Sequence, residues 1–244
     1  MEIFMCRDQN PLRAFMLFTF VTLLFVLLIR CSFSTMQFLD PEYEADKIFE
    51  TSVLVMPLTT EYLPFEVQDS LSTNKPFKRK TVSNYEINYF NRILPLSLEE
   101  FTTASILGID PYFIPLEIEF VYEPLVFENK SRFHMFLPKT GQIQYHEKKP
   151  EFILFIEDLY FDKTFEESSG GLGRGTQQKY VLEAGFEYFI YHNIRQKAVA
   201  YGKIDKHFNL MEMPSKDDYS AAIEELTLAI VDKSPFVKRQ IQGY

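Results

Sequence analysis

Acidic residues that follow an apolar run are the first candidates for acid–base chemistry, namely Glu157, Asp158 and Asp162. Two carboxyl groups can act as a general acid and a general base when their surroundings separate their pKa values. Neighbouring residues on a strand point to opposite faces, so Glu157 and Asp158 are not expected to converge on one substrate atom. Asp158 and Asp162 are placed to share a face. We interpret all three as solvated acids at the point where a strand leaves the core.

The four histidines are scattered along the chain, at His134, His146, His192 and His207. No two of them have the i, i+4 spacing that brings two ligands to one side of a helix, and the motif His-Glu-x-x-His is absent. His134 and His207 would form a pair only by meeting across a sheet. Because a zinc site needs three or four ligands, the sequence predicts no metal site.

The glycines at 170, 171, 173 and 175 form the clearest candidate for a nucleotide-binding loop. A phosphate-binding loop requires Lys followed by Ser or Thr after its last glycine, and a dinucleotide-binding turn requires spaced glycines that open a helix. A strand pattern follows this run instead, so we interpret it as a hairpin connection. The serine motif Gly-x-Ser-x-Gly is also absent. The sequence therefore predicts no cofactor, no catalytic residues and a protein that is not an enzyme.

Charge and composition exclude one class of partner. The formal net charge is −9 at pH 7, whereas binding to DNA or RNA needs clustered Lys and Arg that displace counterions, so no nucleic acid partner is expected. The basic run Lys75–Lys80 is interpreted as a solvated loop, with contact to an anionic lipid surface as the alternative. The 25 Phe and 14 Tyr are typical of a folded domain with a large core.

An uncharged segment near the N-terminus predicts export. Residues 14–29 form a run of 16 uncharged, mostly apolar residues between Arg13 and Arg30. As a helix this run would be about 24 Å long, somewhat short of a hydrocarbon core of about 30 Å. Arg7 and Arg13 precede it, and acidic residues follow from Asp40 onward. By the positive-inside rule, the N-terminus stays in the cytoplasm and the body crosses the membrane.

Three modes of membrane attachment or release remain open. The two cysteines, Cys6 and Cys31, lie in or beside the leader, so the body has none for a disulfide or a zinc knuckle. Leu28–Cys31 resembles the lipobox of bacterial lipoproteins, in which the cysteine becomes the lipidated first residue, although Arg30 replaces the usual small residue. The alternatives are lipidation at Cys31, an uncleaved signal anchor and simple secretion. Each places the body on the non-cytoplasmic side of a bacterial envelope membrane.

Aromatic residues and prolines between positions 111 and 138 form the feature of the body that comes nearest to a binding site. Phe120, Tyr122, Phe133 and Phe136 are candidates to line an apolar groove for a lipid or a partner peptide. The alternative is a proline-kinked wall of the hydrophobic core.

Strands account for much of the remaining pattern. The mainly apolar runs 52–58 and 151–156 predict buried strands, and the second, which is apolar on both faces, is expected at the centre of a sheet. Residues 116–123 alternate between apolar and charged types, which predicts a half-buried strand. The runs 179–191 and 197–208 are joined by a short turn, so we expect them to pair antiparallel.

Capping patterns predict two helix starts. Ser97–Phe101 has the form of a capping box, with Ser97 as the first cap. Ser215–Asp218 caps a C-terminal helix whose apolar residues recur at intervals of three and four and which stops at Lys233. The expected fold class is α+β, or a three-layer α/β arrangement, with a mixed, largely antiparallel sheet, flanking helices and a C-terminal amphipathic helix.

The predicted domain organisation has four parts. Residues 1–31 form a signal peptide or membrane anchor, and residues 32–50 form an acidic spacer. Residues 51–236 form a single globular envelope domain, which is followed by a tail at 237–244.

The order of these segments resembles that of small bacterial envelope lipoproteins. A leader precedes the strand Val53–Pro57 and the central strand Pro150–Ile156, after which come a glycine-rich insertion, a hairpin ending Ala198–Gly202 and an amphipathic helix. This order is similar to that of the curli-secretion lipoprotein and of the amino-terminal domain of the Tol translocation protein. The resemblance implies a mixed sheet and a non-enzymatic role in the cell envelope.

These observations predict a membrane-tethered, non-enzymatic binding or assembly module with envelope proteins as partners. One alternative is an exported carrier of a lipid or small apolar ligand that uses the aromatic stretch. The other alternative is an envelope hydrolase. A cavity lined by Phe120, Phe133 and Phe136 would favour the carrier, whereas a filled core with an exposed apolar patch would favour the binding module.

Overall fold

The computed structural model describes residues 36–58, 82–108, 120–127, 130, 132–139, 142–145, 147–168 and 177–239. In chain order its elements are β1 (Met36–Leu39), α1 (Pro41–Ala45), β2 (Ser52–Val55), α2 (Asn84–Phe101), β3 (Ser105–Gly108), β4 (Phe120–Val126), β5 (Arg132–Pro138), β6 (Phe152–Ser168), β7 (Gln177–His192), β8 (Lys197–Leu210) and α3 (Lys216–Asp232). The leader, including Cys31, and the glycine run lie outside the described residues.

The main sheet has six strands in the order β1-β8-β7-β6-β2-β3. Strand β2 runs parallel to β3 and β6, whereas the pairs β6–β7, β7–β8 and β1–β8 are antiparallel. Strands β4 and β5 form a separate antiparallel hairpin. The predicted α+β fold with a mixed, largely antiparallel sheet is therefore confirmed, and so is the antiparallel pairing of the two late strands.

Two hydrophobic cores form because the central strands are apolar on both faces. On one face Leu154 and Ile190 are fully buried and pack with the apolar stripes of α2 and α3. On the other face Ile153 and Phe189 are fully buried and pack with residues of the β4–β5 hairpin, among them Met135. The sheet is thus covered by helices on one side and by the hairpin on the other, as its sequence pattern requires.

The C-terminal helix is confirmed with its predicted cap. The Ser215 hydroxyl accepts the backbone N–H of Asp218, and the Asp218 carboxylate accepts the backbone N–H of Ser215. The stripe that faces the core is fully buried and consists of Ala222, Ile223, Leu226 and Ile230.

The predicted helix start at Ser97 is wrong. Helix α2 begins at Asn84, where Ser83 and Glu86 form the capping box. Apolar residues at 87, 90, 94, 98 and 101 already form one buried stripe through this region, so the chain is helical well before Ser97. Ser97 is buried inside the helix, and its hydroxyl donates to the Ile93 carbonyl oxygen at 3.1 Å.

The domain extends beyond both predicted boundaries. Part of the predicted spacer at 32–50 belongs to the fold, because β1 pairs with β8 and Tyr43 is only 2% exposed. The predicted tail at 237–244 is also attached at its start, since the Val237 N–H donates to the Ile48 carbonyl oxygen at 3.2 Å. The acidic residues of 32–50 predicted a solvated spacer, but Leu39 and Tyr43 within it are buried in the hydrophobic core.

Within the described ranges, no helix is both long and apolar enough to cross a membrane.

Gly202 offers a test of whether β1 is an integral strand. A Cβ atom at this position would lie 2.8 Å from the Met36 carbonyl oxygen and 2.8 Å from Cγ of Gln37, so Gly202→Ala must push β1 away from β8. We expect Gly202→Ala to lower the free energy of unfolding by about 1–3 kcal/mol in urea denaturation. The control is Gly108→Ala, where nothing lies within 4 Å of the added atom. Equal stability of the two variants would contradict the placement of β1.

Candidate functional site

The predicted apolar groove falls on the β4–β5 hairpin. The Phe120 ring packs edge-on against Phe155, with the centroids 6.0 Å apart, and so belongs to the second core. Tyr122 is 39% exposed, and its ring lies 4.9 Å from Phe136 and 5.1 Å from His134. Phe133 lies opposite Leu125 in the hairpin ladder. The structure therefore brings Tyr122 and Phe136 together at the hairpin surface, while Phe120 is used for packing.

Glu157 lies beneath this hairpin and is not the solvated acid that its sequence context suggested. It is half-buried, and its Oε1 accepts the backbone N–H of Phe136 at 3.3 Å. Burial raises the pKa of Glu157 to about 7, and the nearby carboxylates of Glu187 and Asp158 add to the rise. Asp158 is exposed, as expected, in a β-bulge with a left-handed φ of 53°.

A row of charged groups crosses three strands at this point. Glu157 lies opposite Glu187 on β7, and Glu187 lies opposite Lys203 on β8. Lys203 Nζ is 3.0 Å from Glu187 Oε1, so the lysine neutralises Glu187. Glu157 has a backbone N–H as its hydrogen-bond partner instead. Glu187 is therefore paired with a lysine, whereas the carboxyl group of Glu157, whose pKa is raised to about 7, bonds to the backbone.

The pH dependence of stability should follow Glu157. A carboxyl group whose pKa rises on folding contributes stability below its unfolded pKa of about 4.5 and loses it as the pH rises through the folded value, here about 7. In wild type we expect the free energy of unfolding to fall by about 1–2 kcal/mol through this group as the pH rises between these two values. Glu157→Gln has no carboxyl group to ionise at this position, so urea unfolding of the variant should not show this fall. The exposed Glu99→Gln on α2 is the control. A variant whose pH profile runs parallel to that of wild type would refute this assignment.

The fold separates His134, His192 and His207, whereas His146 lies outside the described residues. His134 stacks on Tyr122 in the hairpin, and His207 on β8 lies 3.2 Å from a carboxylate oxygen of Glu183. His134 and His207 therefore lie in different sheets, each with its own partner. His192 is buried, its Nδ1 accepts the Arg195 N–H at 3.3 Å, and burial lowers its pKa. Among the described residues, no group of three or more His, Cys, Asp or Glu side chains is arranged to hold a metal ion.

A cleft of about 320 Å³ opens on the helical side of the sheet. It lies where α2 and α3 both begin, next to the part of β6 that continues past the end of β2. Residues from three separate parts of the chain form its wall, and they are Ser83, Tyr85, Glu86, Tyr89, Lys163, Pro214, Ser215, Lys216 and Tyr219. We call this the tyrosine cleft.

The two lysines of the tyrosine cleft are held over aromatic rings. Lys163 Nζ lies 5.0 Å from the ring centroid of Tyr219, and Lys216 Nζ lies 5.6 Å from that of Tyr89. Cation–π attraction and the hydrogen bond between Lys163 and Tyr219 fix these ammonium groups, and the same hydrogen bond raises the pKa of Lys163. A cleft lined by two lysines and one carboxylate stands out in a chain of net charge −9.

The carboxylate of the cleft is already engaged. Burial acts to raise the pKa of Glu86, but hydrogen bonds from Ser83 and the charge of Lys163 hold it below its ordinary value. Oε1 of Glu86 accepts the Tyr219 hydroxyl at 3.3 Å and lies 3.9 Å from Lys163 Nζ. Glu86 is therefore bonded to Tyr219 and paired with Lys163, and it is the one carboxylate among the described residues that line the cleft.

Exposed apolar side chains flank the tyrosine cleft. Met213 directly precedes the cleft residue Pro214 and is 70% exposed, and Met211, on the other side of the exposed Glu212, is 80% exposed. Tyr85 is 69% exposed and stacks on Tyr89. Phe165, two residues beyond Lys163 on β6, is 45% exposed and packs on Tyr180. We call Met211, Met213, Tyr85 and Phe165 the apolar rim.

Sequence reasoning missed the tyrosine cleft because its residues come from three distant segments. About 70 positions separate Tyr89 from Lys163, and about 50 separate Lys163 from Pro214. One local signal was present. Lys216 follows the cap Ser215 in the first turn of α3, where the helix dipole disfavours a cation, and folding alone does not select lysine there.

Comparison with known proteins adds little to this picture. No family model matches the chain, and no curated protein matches it. Among solved structures, the chain is similar to the PelC dodecamer from Paraburkholderia phytofirmans, with a TM-score of 0.37 and 8% sequence identity over 82% of this chain and 95% of that chain. A likeness at this level carries no argument, so the candidate site rests on the geometry of this chain.

Proposed function

We propose that this chain is a membrane-tethered, non-enzymatic binding or assembly module of the bacterial cell envelope. Its N-terminal segment holds the domain at the membrane, on the non-cytoplasmic side, where it binds another envelope protein. The uncharged run at 14–29 supports the tether, and the basic residues before it and acidic residues after it support the orientation.

The observation that carries the binding role is the apolar rim around the tyrosine cleft. Both cores of the domain are filled by large buried side chains, so the exposed apolar side chains are not needed to complete them. Methionine is common at surfaces that bind protein segments because its unbranched side chain adapts to different partners. Met211 and Met213 lie in the short connection before α3, where they make little contact with the fold. Clustered exposed apolar residues next to a cleft are typical of an interaction site.

The carrier alternative receives less support. It needs a cavity lined by the aromatic residues of the hairpin, but Phe120 packs on Phe155 and Met135 is fully buried between the layers.

The tether is tested by fractionating cells that express the full chain. We expect wild type in the membrane fraction and resistant to extraction at high salt, because hydrocarbon favours residues 14–29 over water. Radiolabelled palmitate incorporation in wild type and Cys31→Ser then separates lipidation from an uncleaved anchor. A wild-type chain that is found freely in the cytoplasm would overturn the proposed function.

The binding surface is tested by chemical crosslinking in intact membranes. We expect wild type to form defined crosslinked complexes with other envelope proteins, and the double variant Met211→Ser, Met213→Ser to lose most of them. The reason is that this variant removes the two most exposed large apolar side chains among the described residues. Leu96→Ser on α2 is the matched control, since Leu96 is 58% exposed but outside the apolar rim. Absence of any protein complex with wild type, or equal loss in the control, would argue against this role.

A further inference from the structure

We infer that the tyrosine cleft binds an acidic peptide segment in which an aromatic side chain stands next to a carboxylate. The inference rests on the proposed function, because the segment belongs to the protein partner assumed there, and it names the chemistry of that partner.

The size and walls of the cleft suit a single aromatic side chain. Its volume of about 320 Å³ is at the lower end of ligand pockets, which run from about 300 to 1,000 Å³. Three tyrosine rings, Tyr85, Tyr89 and Tyr219, stand around it. Tyr85 stacks on Tyr89 with the ring centroids 6.3 Å apart and is 69% exposed, so an incoming ring can extend the stack.

The charge of the cleft selects an anion. At each helix start the capping box already satisfies one backbone N–H of the helix, that of Glu86 on α2 and that of Asp218 on α3. We assign the attraction to the ammonium groups of Lys163 and Lys216, which the rings of Tyr219 and Tyr89 hold at the cleft. A carboxylate of the partner would meet these ammonium groups, while a lysine-rich segment would be repelled.

The placement of Lys216 argues for a role outside folding. A cation in the first turn of a helix opposes the positive end of the helix dipole, at a cost of a few tenths of a kcal/mol or more. The next two residues, Asp217 and Asp218, are anions in the same turn, where the helix dipole favours negative charge. A residue that breaks a local rule at the wall of a cleft is expected where binding, not folding, selects it.

The apolar rim extends the site beyond one side chain. Met211 and Met213 lie just before the cleft residue Pro214 in the chain, and Phe165 lies two residues after Lys163 on β6. A peptide that continues past the cleft would find these further apolar side chains to contact. A small free acid would contact the lysines and tyrosines of the cleft but not Met211, Met213 or Phe165, so these three side chains favour a peptide.

The test uses the full chain in lipid nanodiscs and three fluorescent peptides that differ at the centre. Their central sequences are Glu-Phe-Glu, Gln-Phe-Gln and Glu-Ala-Glu, each between short Gly-Ser flanks. We expect anisotropy titrations to show binding of the first peptide and affinity at least about fivefold lower for each of the others. Binding of the first peptide should also weaken as salt is raised, because the lysines are partly exposed.

Variants of the cleft locate the binding site. The double variant Lys163→Gln, Lys216→Gln should weaken binding of the Glu-Phe-Glu peptide about tenfold but leave the weak binding of Gln-Phe-Gln nearly unchanged. Tyr85→Ala should reduce binding of both Phe-containing peptides. The controls are Lys233→Gln at the other end of α3 and Phe49→Ala, an aromatic residue that is 62% exposed elsewhere. Unchanged circular dichroism spectra confirm that the variants fold.

Three outcomes would overturn the inference: no binding of Glu-Phe-Glu, equal binding of Gln-Phe-Gln, or equal losses in the control variants. Its failure is distinguishable from failure of the proposed function. If the envelope crosslinks persist in the lysine double variant while the peptide result is negative, the binding module stands and the acidic aromatic segment is wrong. If the crosslinks are absent in wild type as well, both are wrong.

Discussion

The burial of both faces of the β6–β7 pair is the constraint on which the rest of the structure depends. Phe152, Leu154 and Ile190 point to one side, Ile153, Phe155 and Phe189 point to the other, and all are buried. A strand with apolar side chains on both faces must be covered twice, because each large apolar side chain left in water costs about 1.5–3 kcal/mol. Helices α2 and α3 supply one cover and the β4–β5 hairpin the other.

The same pair of strands accounts for the location of the tyrosine cleft. Strand β6 is longer than its neighbour β2, so its outer half continues beyond the parallel part of the sheet. The two covering helices begin beside this outer half, and their caps, their tyrosines and the lysine of β6 meet there. The end of the sheet that is least constrained by the core is therefore the end that carries exposed apolar and cationic groups.

Sequence patterns predicted those elements whose apolar pattern or cap lies within a single segment of the chain. The central strand at 151–156, the late hairpin and the capped C-terminal helix were all predicted from sequence patterns, although β6 continues to Ser168. Ser97 was misassigned because a serine followed by acids occurs inside helices as well as at their starts. The buried state of Glu157 and the attachment of Tyr43 could not be predicted, since each depends on a distant segment that packs over it. The tyrosine cleft, built from three distant segments, left only Lys216 as a local sign.

A photo-crosslinking residue at the mouth of the cleft tests the central claim most directly. Tyr85→benzoylphenylalanine places the probe on an exposed ring position, and Phe49→benzoylphenylalanine places it on an exposed ring position away from the cleft. In irradiated intact membranes, we predict a discrete protein adduct from position 85 that is absent from position 49 and competed by the Glu-Phe-Glu peptide. Adducts that are equal at the two positions, or no adduct at position 85, would contradict the account.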